Sequence, residues 1–114
     1  MKLPYRKRAV IHPEKINGYL LSTTHDEGKH KARVFKALGY DKSNKDEFKN
    51  VLLEIAHNND TVNIIDNIKN GTNYGKKYYI DGIIGTRGRA GAIRTVWQIL
   101  TNKRTPSLIT VKPL

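Results

Sequence analysis

Residues 77–100, KYYIDGIIGTRGRAGAIRTVWQIL, read as two β-strands, Lys77–Ile84 and Ala92–Leu100, separated by the connection Gly85–Gly91. Both runs are rich in β-branched and aromatic residues and are bounded by glycine, the composition of half-buried strands. So short a connection favours antiparallel neighbours, because a parallel crossover needs a dozen residues or more. In Ala92–Leu100, alternation sets Arg94, Val96, Gln98 and Leu100 on one face and Ile93, Thr95, Trp97 and Ile99 on the other. Neither face is purely polar, so both are expected to be partly covered. Two flanking runs, Thr61–Ile68 and Ser107–Val111, complete a four-stranded sheet.

Before residue 60 the apolar period is helical. Pro13 suits a first helical turn, where its missing N–H is no loss, and Ile16, Tyr19 and Leu20 then share a face to the end near Leu21. Lys29–Leu38 reads as a second helix closed by Gly39 in the left-handed cap position. Ser43 can cap a third, whose stripe of Phe48, Leu52, Ile55 and Ala56 runs out at Asn58 and Asn59. The expectation is an α+β fold: two or three N-terminal helices packed on a four-stranded antiparallel sheet. With 114 residues it forms a single domain over 1–114, its helical half about 1–58 and its sheet half about 60–114.

Composition narrows the function. Lys and Arg number 21 against 10 Asp and Glu, a formal charge of +11 that calls for a polyanionic partner: nucleic acid, an anionic membrane surface or an acidic protein. There is no cysteine, which excludes a disulfide framework and a thiolate zinc site and suits the cytoplasm. No apolar run approaches the roughly 20 residues of a membrane helix. The start, Met-Lys-Leu-Pro-Tyr-Arg-Lys-Arg, lacks a signal peptide's apolar core. The expectation is a soluble cytoplasmic protein with no membrane association.

Gly28-Lys29-His30-Lys31-Ala32-Arg33-Val34-Phe35 carries the most information. Helical spacing places His30, Lys31, Val34, Phe35 and Leu38 coreward, with Lys29, Arg33 and Lys36 opposite. An unpaired lysine is costly to bury, so Lys31 should reach a polar cleft or a carboxylate. The ordinary alternative is a structural histidine beside a lysine that snorkels to solvent. Arg94 has the planar fork to hold a phosphate, with Gln98 on the same face, though an exposed Arg and Gln on an open sheet are commonplace. On the last strand Thr110 shares a face with Leu108, opposite Ile109 and Val111, and near Lys112 its hydroxyl could meet a phosphate. Arg87 and Arg89 in the glycine-rich turn could track a nucleic-acid backbone or be merely solvated.

Pro13–Leu21, Gly28–Phe35, Leu38-Gly39-Tyr40, Arg94-Thr95-Val96-Trp97 and Pro106–Thr110 together resemble a family of small bacterial toxin-like proteins, over nearly the whole chain. Its members occur free-standing beside antitoxin-like partners or as the C-terminal tips of large secreted toxins. The order of helices and then sheet is similar to the barnase, EndoU, colicin and RelE-like ribonuclease superfamily. That resemblance implies a toxin that cuts RNA by 2′-hydroxyl transesterification, with neither metal nor other cofactor. Its implied partners are RNA (tRNA, mRNA and rRNA not being separable) and a small acidic antitoxin or immunity protein. In such a scheme His30 is the general base or acid, Lys31 and Arg94 stabilise the phosphorane and Thr110 orients a phosphate oxygen. His25, Arg87, Arg89, Gln98 and Lys112 bind substrate, with His25 as reserve proton carrier. The rival readings are a metal nuclease using His25, Asp26, Glu27 and His30, a non-catalytic RNA-binding module, and a module that binds only an acidic protein.

Overall fold

In the computed structural model, which describes all 114 residues, the second half of the chain is a single antiparallel meander. Strands β1 (Thr61–Lys69), β2 (Thr72–Ile84), β3 (Gly91–Leu100) and β4 (Ser107–Pro113) lie in the order β1-β2-β3-β4. β2 starts well before Lys77 because Asn70 and Gly71, at φ 51° and 79°, make a two-residue hairpin that pairs Lys69 with Thr72. Two positive φ values in succession are the type I′ geometry that Asn-Gly favours. Thr72–Lys76 is largely exposed, so it lacks the apolar alternation that marks the rest of the strand.

The helices precede the sheet as expected. α1 (Pro13–Lys15) continues as a π-helical turn, Ile16–Leu20, in which the Leu21 N–H donates to the Ile16 carbonyl at 2.9 Å. α2 is Gly28–Ala37 and α3 is Lys45–Asn58. Gly39 ends α2 at φ 98°, and the Tyr40 N–H returns to the Phe35 carbonyl at 2.8 Å, a Schellman closure. The cap ahead of α3 differs from expectation. Asp41 rather than Ser43 supplies it, accepting from the Ser43 N–H at 2.8 Å while Asn44 accepts from the Asp41 N–H at 2.9 Å, around a 3-10 turn at Lys42–Asn44.

The π-helical turn, α2 and α3 bury apolar residues against the face of the sheet that carries Ile93 and Trp97. Phe35, Phe48, Leu52, Ile80, Ile93 and Trp97 are fully buried. The polar groups among them are satisfied in sequence: the Trp97 indole N–H donates to Thr95 Oγ1 at 2.8 Å, and that hydroxyl donates to the Ile80 carbonyl at 2.8 Å. Such a chain is worth little net, but breaking it strands a buried donor. No helix is long and apolar enough to cross a membrane.

β4 departs from simple alternation. Trp97 pairs with Leu108 but Val96 pairs with Thr110, so Ile109 is an extra residue, a β-bulge. Leu108 and Val111 both turn into the core, and Thr110 lies on the other face instead of sharing one with Leu108. The bulge therefore re-aims the one hydroxyl of this strand that the site uses.

Thr95→Val should lower stability by about 1–3 kcal/mol in urea unfolding, because the indole N–H loses its acceptor inside the core. Trp97→Phe should then cost less in the Thr95→Val background than in the native chain. Strictly additive losses would show that the two side chains are not coupled.

Candidate functional site

α2 begins at a glycine for a steric reason. A Cβ on Gly28 would stand 2.0 Å from the Tyr19 carbonyl oxygen, so only glycine lets the first turn of α2 seat on the end of the π-helical turn. Helical side chains lean toward the N-terminus, so Lys31, one turn on, lies back over that contact. α1 and α2 both reach β4. Three side chains from three separate elements meet there.

Lys31 Nζ donates to Tyr19 Oη at 2.6 Å and to Thr110 Oγ1 at 2.7 Å, and the two hydroxyls are 3.1 Å apart. Lys31 is half-buried and belongs to none of the three salt bridges, which join Lys2 to Asp60, Lys76 to Asp66 and Arg94 to Asp81. Its charge is thus held by neutral oxygens, and one of its three N–H bonds is left over. The ammonium also sits 4.9 Å from the centroid of the Tyr19 ring. Burial by itself pushes the Tyr19 phenol up. The hydrogen bonds from Lys31 and with Thr110, together with the Lys31 charge, outweigh burial and the opposing charge of Glu27, and hold the phenol below the ordinary tyrosine value.

These groups open on a cavity of about 710 Å³, large enough for a nucleotide. His25 and Lys112 line it, as do Lys15, Glu14 and Glu27. The His25 ring stands edge-on to Tyr19 at 5.0 Å. Its Nδ1 accepts the backbone N–H groups of Glu27, at 3.1 Å, and Gly28, at 2.9 Å. With Nδ1 so engaged, the neutral imidazole carries its proton on Nε2.

Of the residues expected from the sequence, Lys31, Thr110, His25 and Lys112 come together here, and His30, Arg94, Gln98, Arg87 and Arg89 do not line the cavity. His30 is exposed rather than coreward, as is Val34, because the seating of Gly28 turns Gly28, Ala32 and Phe35 inward and leaves Lys31 and Leu38 half-buried. Arg94 is held by the neighbouring strand. Its Nε and Nη2 donate to the two oxygens of Asp81 at 2.7 and 3.0 Å, which keep the guanidinium still more firmly charged. Arg87 and Arg89 line a second, wholly polar hollow of about 580 Å³ with Lys36, Asp41 and Glu47. His25, Asp26, Glu27 and His30 do not assemble into a metal-ligand cluster. Tyr19 escaped the sequence reading because its helical phase marks it as a core residue. The signal that could have found it was the need of Lys31 for a polar partner.

Residues 2–114 match the family described as Domain of unknown function (DUF6883), and the chain belongs to that family. No curated protein and no solved structure matches it.

Because the Tyr19 phenol is lowered in the folded chain, the folded state gives up that proton before the unfolded one does. Between the lowered value and about 10, its contribution to stability therefore grows as pH rises. Lys31→Met should move the Tyr19 transition up to the ordinary tyrosine range or beyond and abolish that growth. The transition is read as the tyrosinate absorbance of the protein minus that of its Tyr19→Phe counterpart. An unmoved transition would mean that Lys31 does not govern the phenol.

Proposed function

We propose that this member of the family binds RNA at the Tyr19–Lys31–Thr110 cavity and cleaves it, without metal or other cofactor, by attack of a ribose 2′-hydroxyl on its own phosphodiester. The products are a 2′,3′-cyclic phosphate and a free 5′-hydroxyl. One observation carries the reading: Lys31 is a half-buried ammonium with no carboxylate partner and one free N–H, facing an open nucleotide-sized space. A non-bridging phosphate oxygen is the natural third acceptor, and the charge that builds on it during attack strengthens the contact in the transition state. Thr110 orients the ammonium and can donate to the same phosphate. His25 offers the Nε2–H of its fixed neutral tautomer.

The remaining cations have a positional role in this reading. Lys15 and Lys112 attract neighbouring phosphates at the cavity itself. Arg87 and Arg89, at the second hollow, are assigned to the backbone of a longer strand. Gln98, outside the cavity, has no role in the reaction, and Arg94 already has its carboxylate. The chemistry needs a 2′-hydroxyl, which selects RNA over DNA but does not separate tRNA, mRNA and rRNA. A +11 chain that cuts RNA in the cytoplasm calls for a small acidic antitoxin or immunity protein, and the reading places this chain as the toxin of such a pair.

RNA incubated with the purified protein in excess chelator should yield cyclic-phosphate and 5′-hydroxyl ends. Lys31→Met should slow cleavage by about 10²–10³-fold, while His30→Ala, outside the cavity, should stay close to the native rate. RNA that is bound with a steep salt dependence yet remains intact would identify a non-catalytic binding module instead. Cleavage that stops on chelation, or leaves 3′-hydroxyl ends, would contradict the transesterification.

A further inference from the structure

We infer that Tyr19 and Lys31 act as one base–acid couple, Tyr19 taking the proton of the attacking 2′-hydroxyl and Lys31 giving one to the departing 5′-oxygen, with the proton returned across the hydrogen bond between them. The inference rests on the RNA-cleaving reading of the cavity and assigns within it the two proton transfers that the reaction requires. The two reactive atoms are 2.6 Å apart, so both can serve the apical oxygens of a single pentacoordinate phosphorus from one side. His25 does not fill the role of base, since its Nδ1 is occupied by two backbone N–H groups and its Nε2 bears the proton. His30 does not line the cavity.

The cycle balances. It runs through the fraction of molecules in which the Tyr19 hydroxyl has given up its proton beside the ammonium of Lys31, a form that the hydrogen bonds and charge of Lys31 favour. The phenolate oxygen takes the 2′-hydroxyl proton as the 2′-oxygen forms its bond to phosphorus. The bond from phosphorus to the 5′-oxygen breaks, its electron pair goes to that oxygen, and the third N–H of Lys31, which met the non-bridging oxygen in the bound state, swings to the 5′-oxygen and gives it the proton. A phenol and a neutral amine remain, and transfer of the phenol proton to the amine restores the starting pair. No proton is gained or lost overall and no co-reactant is needed. Thr110, bonded to both members, keeps them in register.

The test uses one short RNA in two forms, one natural and one with sulfur in place of the bridging 5′-oxygen, because a thiolate departs without a proton. Lys31→Arg keeps the positive charge but cannot act as an acid. It should lose about 10²-fold or more in kcat on the natural form, with a smaller change in KM, and recover most of the loss on the sulfur form. Tyr19→Phe should lose a similar factor on both. The ratio of the two rates within each variant is independent of how much of it is folded. Equal losses for Lys31→Arg on both substrates, or a fully active Tyr19→Phe, would overturn the couple while cleavage by the native protein keeps the RNA reading. So would a Glu14→Gln or Glu27→Gln variant that alone reproduces the loss expected of Tyr19→Phe, since either carboxylate also lines the cavity. A native protein inactive on both forms would overturn the reading and the couple together.

Discussion

The charge on Lys31 is the constraint around which the site is arranged. A half-buried ammonium is stable only if its N–H bonds find acceptors, and here the acceptors are two neutral hydroxyls from different parts of the chain. Bringing them into reach requires three irregularities. Gly28 lets two helical segments approach to a distance no side chain would permit. The π-helical turn Ile16–Leu20 buries Ile16 and Leu20 while leaving Tyr19 half-exposed at the cavity. The bulge at Ile109 carries Thr110 to the face opposite Leu108. π-turns and bulges are commonly found beside functional sites, and these two converge on one cation.

Lys31 and Arg94 show why the type of a basic residue says less than its partners. Both sit in the second helix or the central strand, where a phosphate contact is plausible. Arg94 has a bidentate carboxylate on the adjacent strand and joins β2 to β3. Binding an anion there would require displacing Asp81 or accepting its repulsion. Lys31 has no carboxylate in contact and keeps one N–H free, so an anion can bind there without displacing a partner.

The fold was legible because it rests on local signals. The alternation over Ala92–Leu100, the β-branched runs, the cap at Gly39 and the stripe from Phe48 to Ala56 each declare themselves within a dozen residues. What escaped depends on contacts across the chain. The phase of α2 is set by Gly28 meeting Tyr19, not by its own apolar pattern, and that shifted His30 outward. The bulge in β4 follows from register with β3, which alternation along one strand does not reveal. The site was half legible for the same reason. Lys31, Thr110, His25 and Lys112 are residue types that announce chemistry, whereas Tyr19 reads as packing until its neighbour is known.

Charge acts here at two ranges. The +11 of the whole chain draws in any polyanion and falls off with salt, so it supplies encounter and little discrimination. The cavity is different in kind, because Lys15, Lys31 and Lys112 share it with Glu14 and Glu27. A lining of mixed sign is a poor trap for bulk anions. It favours a ligand that places its negative group against Lys31 and presents donors or neutral atoms to the two glutamates. A nucleotide within an RNA strand meets that description, with its phosphate in one place and its base and ribose hydroxyl in others. In the proposed reading, non-specific capture by the surface and selective seating by the cavity are separate steps, and the second depends on Gly28, Tyr19 and Thr110 as much as on any cation.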